Sequence, residues 1–320
     1  MVKLEALATF VAIVRGGSLS EAARQLHLSK SVVSGRLAEL EGTLGVRLIR
    51  RSTRQMTLTD EGTAYFEMAE RVVHEIEEAS AAVAARSGML AGQLRVAAPV
   101  SFGVRHLGPA LFPFLATHPD LELRLVLNDV TVDLVGGGFD MAVRVGRLTD
   151  SALVARRLTD CRILVIASPA YLERRGNPRT VAELERHDII AYSNMRLYDE
   201  WQMVRDGAPV TFRLRTRLQF NNGDLIRDAV AAGLGISIMP TFLAHEALAR
   251  GEVVSLQLDA QPVSLGVYAV YPQNRHLSAK VRALADHLKQ TFGDPPYWDA
   301  GLTVDRDEKE GGRRRRARGS

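Results

Sequence analysis

The chain predicts an α/β protein with an all-α module at its N-terminus, on three observations. Residues 3–44 place apolar side chains three and four apart, the period of packed helices. Tyr65, Ala69, Val72, Ile76, Ala79 and Val83 alternate spacings of four and three, as on one long helix with an apolar seam. From Gln93 onward, short β-branched runs alternate with helical patterns, the arrangement of a mostly parallel sheet covered by helices. At 320 residues the chain exceeds a single core, so several domains are expected.

The first helix covers residues 3–15, with Leu4, Leu7, Phe10, Val11 and Val14 inward. Leu19, Ala22, Ala23 and Leu26 form one face of a second helix, and its alanines let a third approach closely. His27-Leu28-Ser29 is the turn, with Ser29 as N-cap of that third helix. The third helix keeps Val33, Leu37, Leu40 and Leu44 on one side; its early, opposite face carries Lys30, Ser31, Ser34 and Arg36. Such a helix, pinned by its apolar side with small polar and cationic groups leading, suits a DNA major groove. After Gly45, VRLIRRSTRQMTLTDEG gives two extended runs around residues 52–55. They read as a β-hairpin wing whose Arg50, Arg51 and Arg54 reach phosphates or the adjacent minor groove. Residues 1–58 are therefore taken as a winged helix-turn-helix.

Residues 59–86 form the linker helix, opened by Thr59-Asp60-Glu61-Gly62. Its seam is assigned to pairing with a second copy, because a dimer also matches two DNA half-sites. Residues 87–92 are a glycine-containing hinge. Within 93–293, LRVAAPV, LELRLVLN, FDMAVRVG, RILVIASP and SLGVYAVYP read as strands, with helices over 104–117 and 278–292. Residues 294–320, ending in GGRRRRARGS, lack the apolar content of a core and are expected to be disordered.

Charge and composition narrow the function. Residues 1–60 hold nine Lys/Arg against five acids, +4, equal to the net charge of the whole chain. A basic module on a neutral body suits a nucleic-acid reader. The N-terminus lacks a signal-peptide pattern and no apolar run reaches bilayer length, so a cytoplasmic location away from membranes is expected. The single Cys161 excludes an internal disulfide, fits a reducing compartment and reads as a small buried hydrophobe. An enzyme is disfavoured: there is no Cys/His cluster at metal spacing, no GxSxG elbow, and the eight histidines are scattered. Gly136-Gly137-Gly138 lacks the lysine and spacing of a phosphate loop and reads as a turn. No catalytic residue, metal or cofactor is assigned.

SLSEAARQLHLSKSVVSGRLAELEGTLGVRLIRRSTRQMTLTDEG, GGFDMAVRVGRLTDSALVARRL, ASPAYLERRG, AVAAGLGISIMP and AVYPQNRHLSAKVRALADHL occur in this order. Together they make the chain resemble a LysR-type transcriptional regulator over residues 1 to about 293. The resemblance implies a two-lobed effector domain like periplasmic binding proteins, lobe 1 being 93–160 and 265–292 and lobe 2 being 162–262. It carries the family's DNA contacts onto Lys30, Ser31, Ser34, Gly35 and Arg36, beside the capping Ser29, and the wing contact onto Arg54. Gly35 departs from the family, which commonly has a long polar side chain there. The inter-lobe cleft is expected to be lined by Ser101, Phe102, Asn128, Arg144 and Val145 from one lobe and by Tyr198, Asn222 and Gly223 from the other. A hydroxyl, helix N–H groups and an arginine favour a carboxylate-bearing effector. The implied partners are double-stranded DNA carrying an inverted repeat at a promoter, the small-molecule effector, further copies of the chain as a homodimer or homotetramer, and RNA polymerase.

Overall fold

A computed structural model of the protein describes residues 1–51, 56–134, 136–147, 153–194, 199–273 and 278–302, except 86–89. Helices α1 (Leu4–Gly16), α2 (Leu19–Gln25) and α3 (Lys30–Leu44) precede a hairpin of β1 (Ile49–Arg51) and β2 (Met56–Leu58), followed by α4 (Asp60–Ala85). Serines stand where the chain turns into α2 and α3: Ser18 Oγ accepts from Glu21 N–H at 3.1 Å and Ser29 Oγ from Val32 N–H at 3.3 Å. Phe10, Ile13, Ala22, Val33, Leu37 and Leu48 close one small core. Glu41 is buried at its edge, where Oε1 accepts from the N–H groups of Leu48 (2.9 Å) and Ile49 (3.3 Å). One carboxylate thus satisfies two backbone donors and fixes the wing to α3.

α4 corrects the expected seam. Ala69 is fully buried in the N-terminal core, Tyr65 packs on Phe10 with ring centres 5.9 Å apart, and Val73 follows them inward. The reason is geometric: α1 presents a broad apolar face, and residues 65, 69 and 73 of α4 lie in one row against it. The outward apolar row is instead Met68 (44% exposed), Val72 (37%) and Ile76 (41%), with Ala79 also exposed. The side chain of Val83 lies outside the described residues.

In the C-terminal region, a five-stranded sheet runs in the order β4 (Leu121–Leu127), β3 (Gly92–Ala98), β5 (Met141–Gly146), a return strand (Leu265–Pro272) and β6 (Leu153–Cys161). β3 is parallel to β4 and β5, and the return strand is antiparallel to β5 and β6. Helical segments over 100–117, with a π-helical turn at Gly103–Leu107, and the closing helix Ala279–Phe292 cover it. The second lobe is built on Ile163–Ala167, paired with Ser237–Pro240 and Val254–Ser255, and on the parallel pair Ile189–Tyr192 and Thr216–Phe220. A meander, Glu200–Arg205 with Ala208–Arg213 and Gln261–Pro262, completes it. Cys161 is fully buried, and burial pushes its thiol well up.

The C-terminal segment departs from expectation as well. Residues 294–302 are folded, and Tyr297–Asp299 form a short 3-10 turn. Trp298 is 1% exposed; its ring stands edge-on to Phe102 at 5.9 Å and tilted against Phe292 at 5.6 Å and His106 at 4.6 Å. Two aromatic side chains after the proline pair give this stretch enough apolar surface to fill the seam between helices of both lobes. Residues 303–320, with the arginine run, lie outside the described residues. Among the described residues no helix is long and apolar enough to cross a membrane.

Candidate DNA-reading face and effector cleft

The turn between α2 and α3 leaves Ser29, Lys30 and Ser31 exposed at the N-terminus of α3, with Ser34 half-buried one turn on. Ser29 and Ser31 hydroxyls lie 2.8 Å apart. At Gly35 an added Cβ meets nothing within 4 Å, so the missing side chain leaves an open notch on the face. Arg36 Nη2 donates to Glu5 Oε2 of α1 at 2.6 Å. Arg50 is exposed on the wing; Arg54 and the side chain of Arg51 lie outside the described residues.

In the C-terminal region, a cleft of about 540 Å³ opens at the C-terminal ends of β3, β4 and β5. Asn128, Arg144 and Val145 line it, together with Asp129, Thr131, Arg147 and Tyr268, which sequence reading had not singled out. Ser101 and Phe102 do not line it. Phe102 is fully buried among Phe242, Phe292 and Trp298, because the helix starting at Val100 turns that side of its first turn into the core. Asn222 caps the helix Gly223–Ala231, accepting from Leu225 N–H at 3.0 Å, and Gly223 packs under Leu243. Neither of these lines the cleft, and Tyr198 lies outside the described residues.

Charge in the cleft is unbalanced. Arg144 donates to the Val132 carbonyl (3.4 Å) and Arg147 to the Gln202 side-chain carbonyl across the lobes (3.0 Å), both neutral acceptors. Among the described residues the one lining carboxylate, Asp129, accepts from Val100 N–H at 2.8 Å. Among the described lining residues, two guanidiniums against one engaged carboxylate favour an anion. A second opening, at the lobe junction, is internally compensated: Arg105 pairs with Asp224 (2.6 Å) and Glu246 (3.3 Å), and Arg227 also holds Asp224 (2.9 Å). Burial alone would raise the Asp224 carboxyl, but the hydrogen bond from Arg105 and the charges of Arg105 and Arg227 hold it below its usual range. Beside it, His106 Nε2 lies 2.9 Å from the Phe242 carbonyl and Nδ1 2.6 Å from Tyr297 Oη. A carbonyl only accepts, so the proton sits on Nε2 and Tyr297 donates to Nδ1. Desolvation chiefly pushes His106 down to about 4, which keeps it neutral. No group of His, Cys, Asp and Glu suited to a metal occurs among the described residues.

Comparison with known proteins agrees with this architecture. Residues 4–63 match the model of the bacterial regulatory helix-turn-helix protein, lysR family, and residues 87–293 match the LysR substrate binding domain. The HTH-type transcriptional regulator PtxR of Pseudomonas aeruginosa is 34% identical over 294 residues, 92% of this chain and 94% of that protein. The structure of CrgA, a LysR-type regulator from Neisseria meningitidis, superposes with TM-score 0.58 at 31% identity, covering 89% of this chain and 97% of that one. The full-length virulence activator AphB of Vibrio cholerae gives TM-score 0.56 at 27% identity, covering 89% and 98%. A helix-turn-helix region followed by a substrate-binding region thus spans most of the chain, and the chain belongs to the LysR family of DNA-binding transcriptional regulators.

Proposed function

We propose that this chain is a sequence-specific regulator whose grip on DNA is set by a small carboxylate-bearing effector in the cleft at the ends of β3, β4 and β5. The observation that carries the effector class is the pair Arg144 and Arg147, which among the described residues meet neutral acceptors beside a single engaged acid. Asn128, Thr131 and Tyr268 supply the remaining polar contacts.

On the DNA side, Lys30, Ser31, Ser34 and Arg36 read or brace the major groove, with Arg50, Arg51 and Arg54 of the wing on the backbone. The row Met68, Val72, Ile76 and Ala79 pairs two copies, so that two heads meet an inverted repeat; further assembly gives a tetramer, and RNA polymerase is the downstream partner. An effector acts only by binding one arrangement of the protein more tightly than another.

Two measurements test this reading. Selection from random duplexes should enrich an inverted repeat bound with strong salt dependence. Calorimetry with a panel of small carboxylates and their primary amides should find binding confined to acids and lost in Arg144→Gln. Binding of an amide as tight as that of its acid, or an unaffected Arg144→Gln, would remove the carboxylate assignment.

A further inference from the structure

The loop between β4 and β5 touches two places that lie apart in the fold. At its start, Asn128, Thr131 and Val132 line the cleft, and the Val132 carbonyl accepts from Arg144. Leu134 is buried with Ala97, Ala142 and Val270, which also floor the cleft, and Phe139 packs on the same cluster. Phe139 N–H donates to the Leu134 carbonyl at 2.9 Å, which ties the two halves of the loop together.

At its end the loop reaches α4. Gly138 has φ 61°, and a Cβ there would stand 2.7 Å from Arg95 Nη1 and 3.5 Å from Glu70 Oε1. Arg95 lies over the Phe139 ring at 5.4 Å, its N–H donates to Asp140 Oδ2 (2.7 Å), and its carbonyl accepts from Asp140 N–H (2.9 Å). Glu70 accepts from Arg15 Nε at 2.9 Å, in the last turn of α1.

Arg95 stands in the field of Arg15 and Arg124, which repel it, and of Glu70 and Asp140, which attract it. Arg95 Nε is buried with no hydrogen-bond partner among the described residues. A displacement of Arg95 therefore alters the field at Glu70, and with it the hold on Arg15.

We propose that Gly138, Arg95, Glu70 and Arg15 form an intrachain coupling element that carries the state of the cleft to the DNA-reading head of the same chain. This rests on the reading of cleft and head given above. An anion that takes Arg144 draws it from the long bond to the Val132 carbonyl, since a charge-assisted bond outcompetes a neutral one. The freed first half of the loop then shifts its second half against Arg95. Linkage makes the effect reciprocal: DNA on the head must alter the loop.

The reciprocal direction needs no effector and is the test. The full chain is first used to select a duplex from random DNA; failure to enrich any would sink the regulator reading itself, before coupling is addressed. Hydrogen exchange is then followed with and without the selected duplex. In the wild type, amides at 128–132 and 139–140 should change exchange rate by about fivefold or more when DNA binds, the low end of usual coupling. In Glu70→Gln, saturated with the same duplex, that change should fall below about twofold. Gly138→Ala, which acts from the loop side, should do the same and covers the case in which Glu70→Gln folds poorly. A loop indifferent to bound DNA in the wild type, or a full response in both variants, would overturn the proposal.

Discussion

Arg36 on the DNA-reading helix donates to Glu5 of α1 at 2.6 Å, so a cation suited to phosphate already holds an internal anion. Glu5 is largely exposed, and a pair of this kind contributes at most about 1 kcal/mol to stability. Glu5→Gln should therefore leave the melting temperature nearly unchanged. It should strengthen binding to any duplex and steepen the dependence of log K on log salt by about 0.9, one extra phosphate contact. An unchanged slope would mean that Arg36 stays on α1 when DNA is bound.

Gly35 is the second test of the same face. Its Cβ direction is open and its backbone helical, so Gly35→Arg is accommodated without strain and gains up to about 1 kcal/mol of helix stability. The new guanidinium should add a preference at one base pair, worth about 1–3 kcal/mol, in a binding-site selection. An identical selected sequence would show that this position faces away from the bases.

Neighbouring residues of α4 should respond oppositely to the same substitution. Val72→Glu places a charge on the exposed row and should yield a folded monomer in sedimentation, with weakened DNA binding. Ala69→Glu buries a carboxylate in the N-terminal core and should unfold the head, losing several kcal/mol in urea titration. A dimeric Val72→Glu would move the self-association surface elsewhere.

His106 makes stability depend on pH. Its pKa falls from 6.5 unfolded to about 4 folded, so between those values the unfolded chain binds more protons. Stability is thus fully present above about pH 6.5 and is lost as pH falls toward 4, by about 3 kcal/mol in all. Urea titrations across pH 4–7 should show this slope, and His106→Phe should flatten it. A variant with the same slope as the wild type would assign it to other groups.

The fold was legible where local pattern and packing agree. The helix capped by Ser29, the wing after Gly45 and the strand-helix alternation all follow from periodicity and turn chemistry. The seam on α4 was misread because heptad spacing marks an apolar helix without saying which part is covered by its own chain; α1 takes Tyr65 and Ala69. In the cleft, Asn128, Arg144 and Val145 were reachable as residues at strand ends. Thr131, Arg147 and Tyr268 depend on how a loop and a return strand close over them, which no local pattern encodes. Phe102 was misassigned because position after a strand does not fix which way a helix turns its first residues. The folded C-terminal segment left one signal in the sequence, the adjacent aromatics Tyr297 and Trp298.

Those aromatics make the molecule its own optical gauge. The sequence holds two tryptophans: Trp201 buried inside the second lobe, and Trp298 wedged where Phe102 of one lobe and Phe242 of the other converge. Relative movement of the lobes must change the packing, and so the emission, of Trp298 while sparing Trp201. In Trp201→Phe, the intrinsic fluorescence spectrum becomes a direct readout of lobe geometry, with no dye attached and no DNA required.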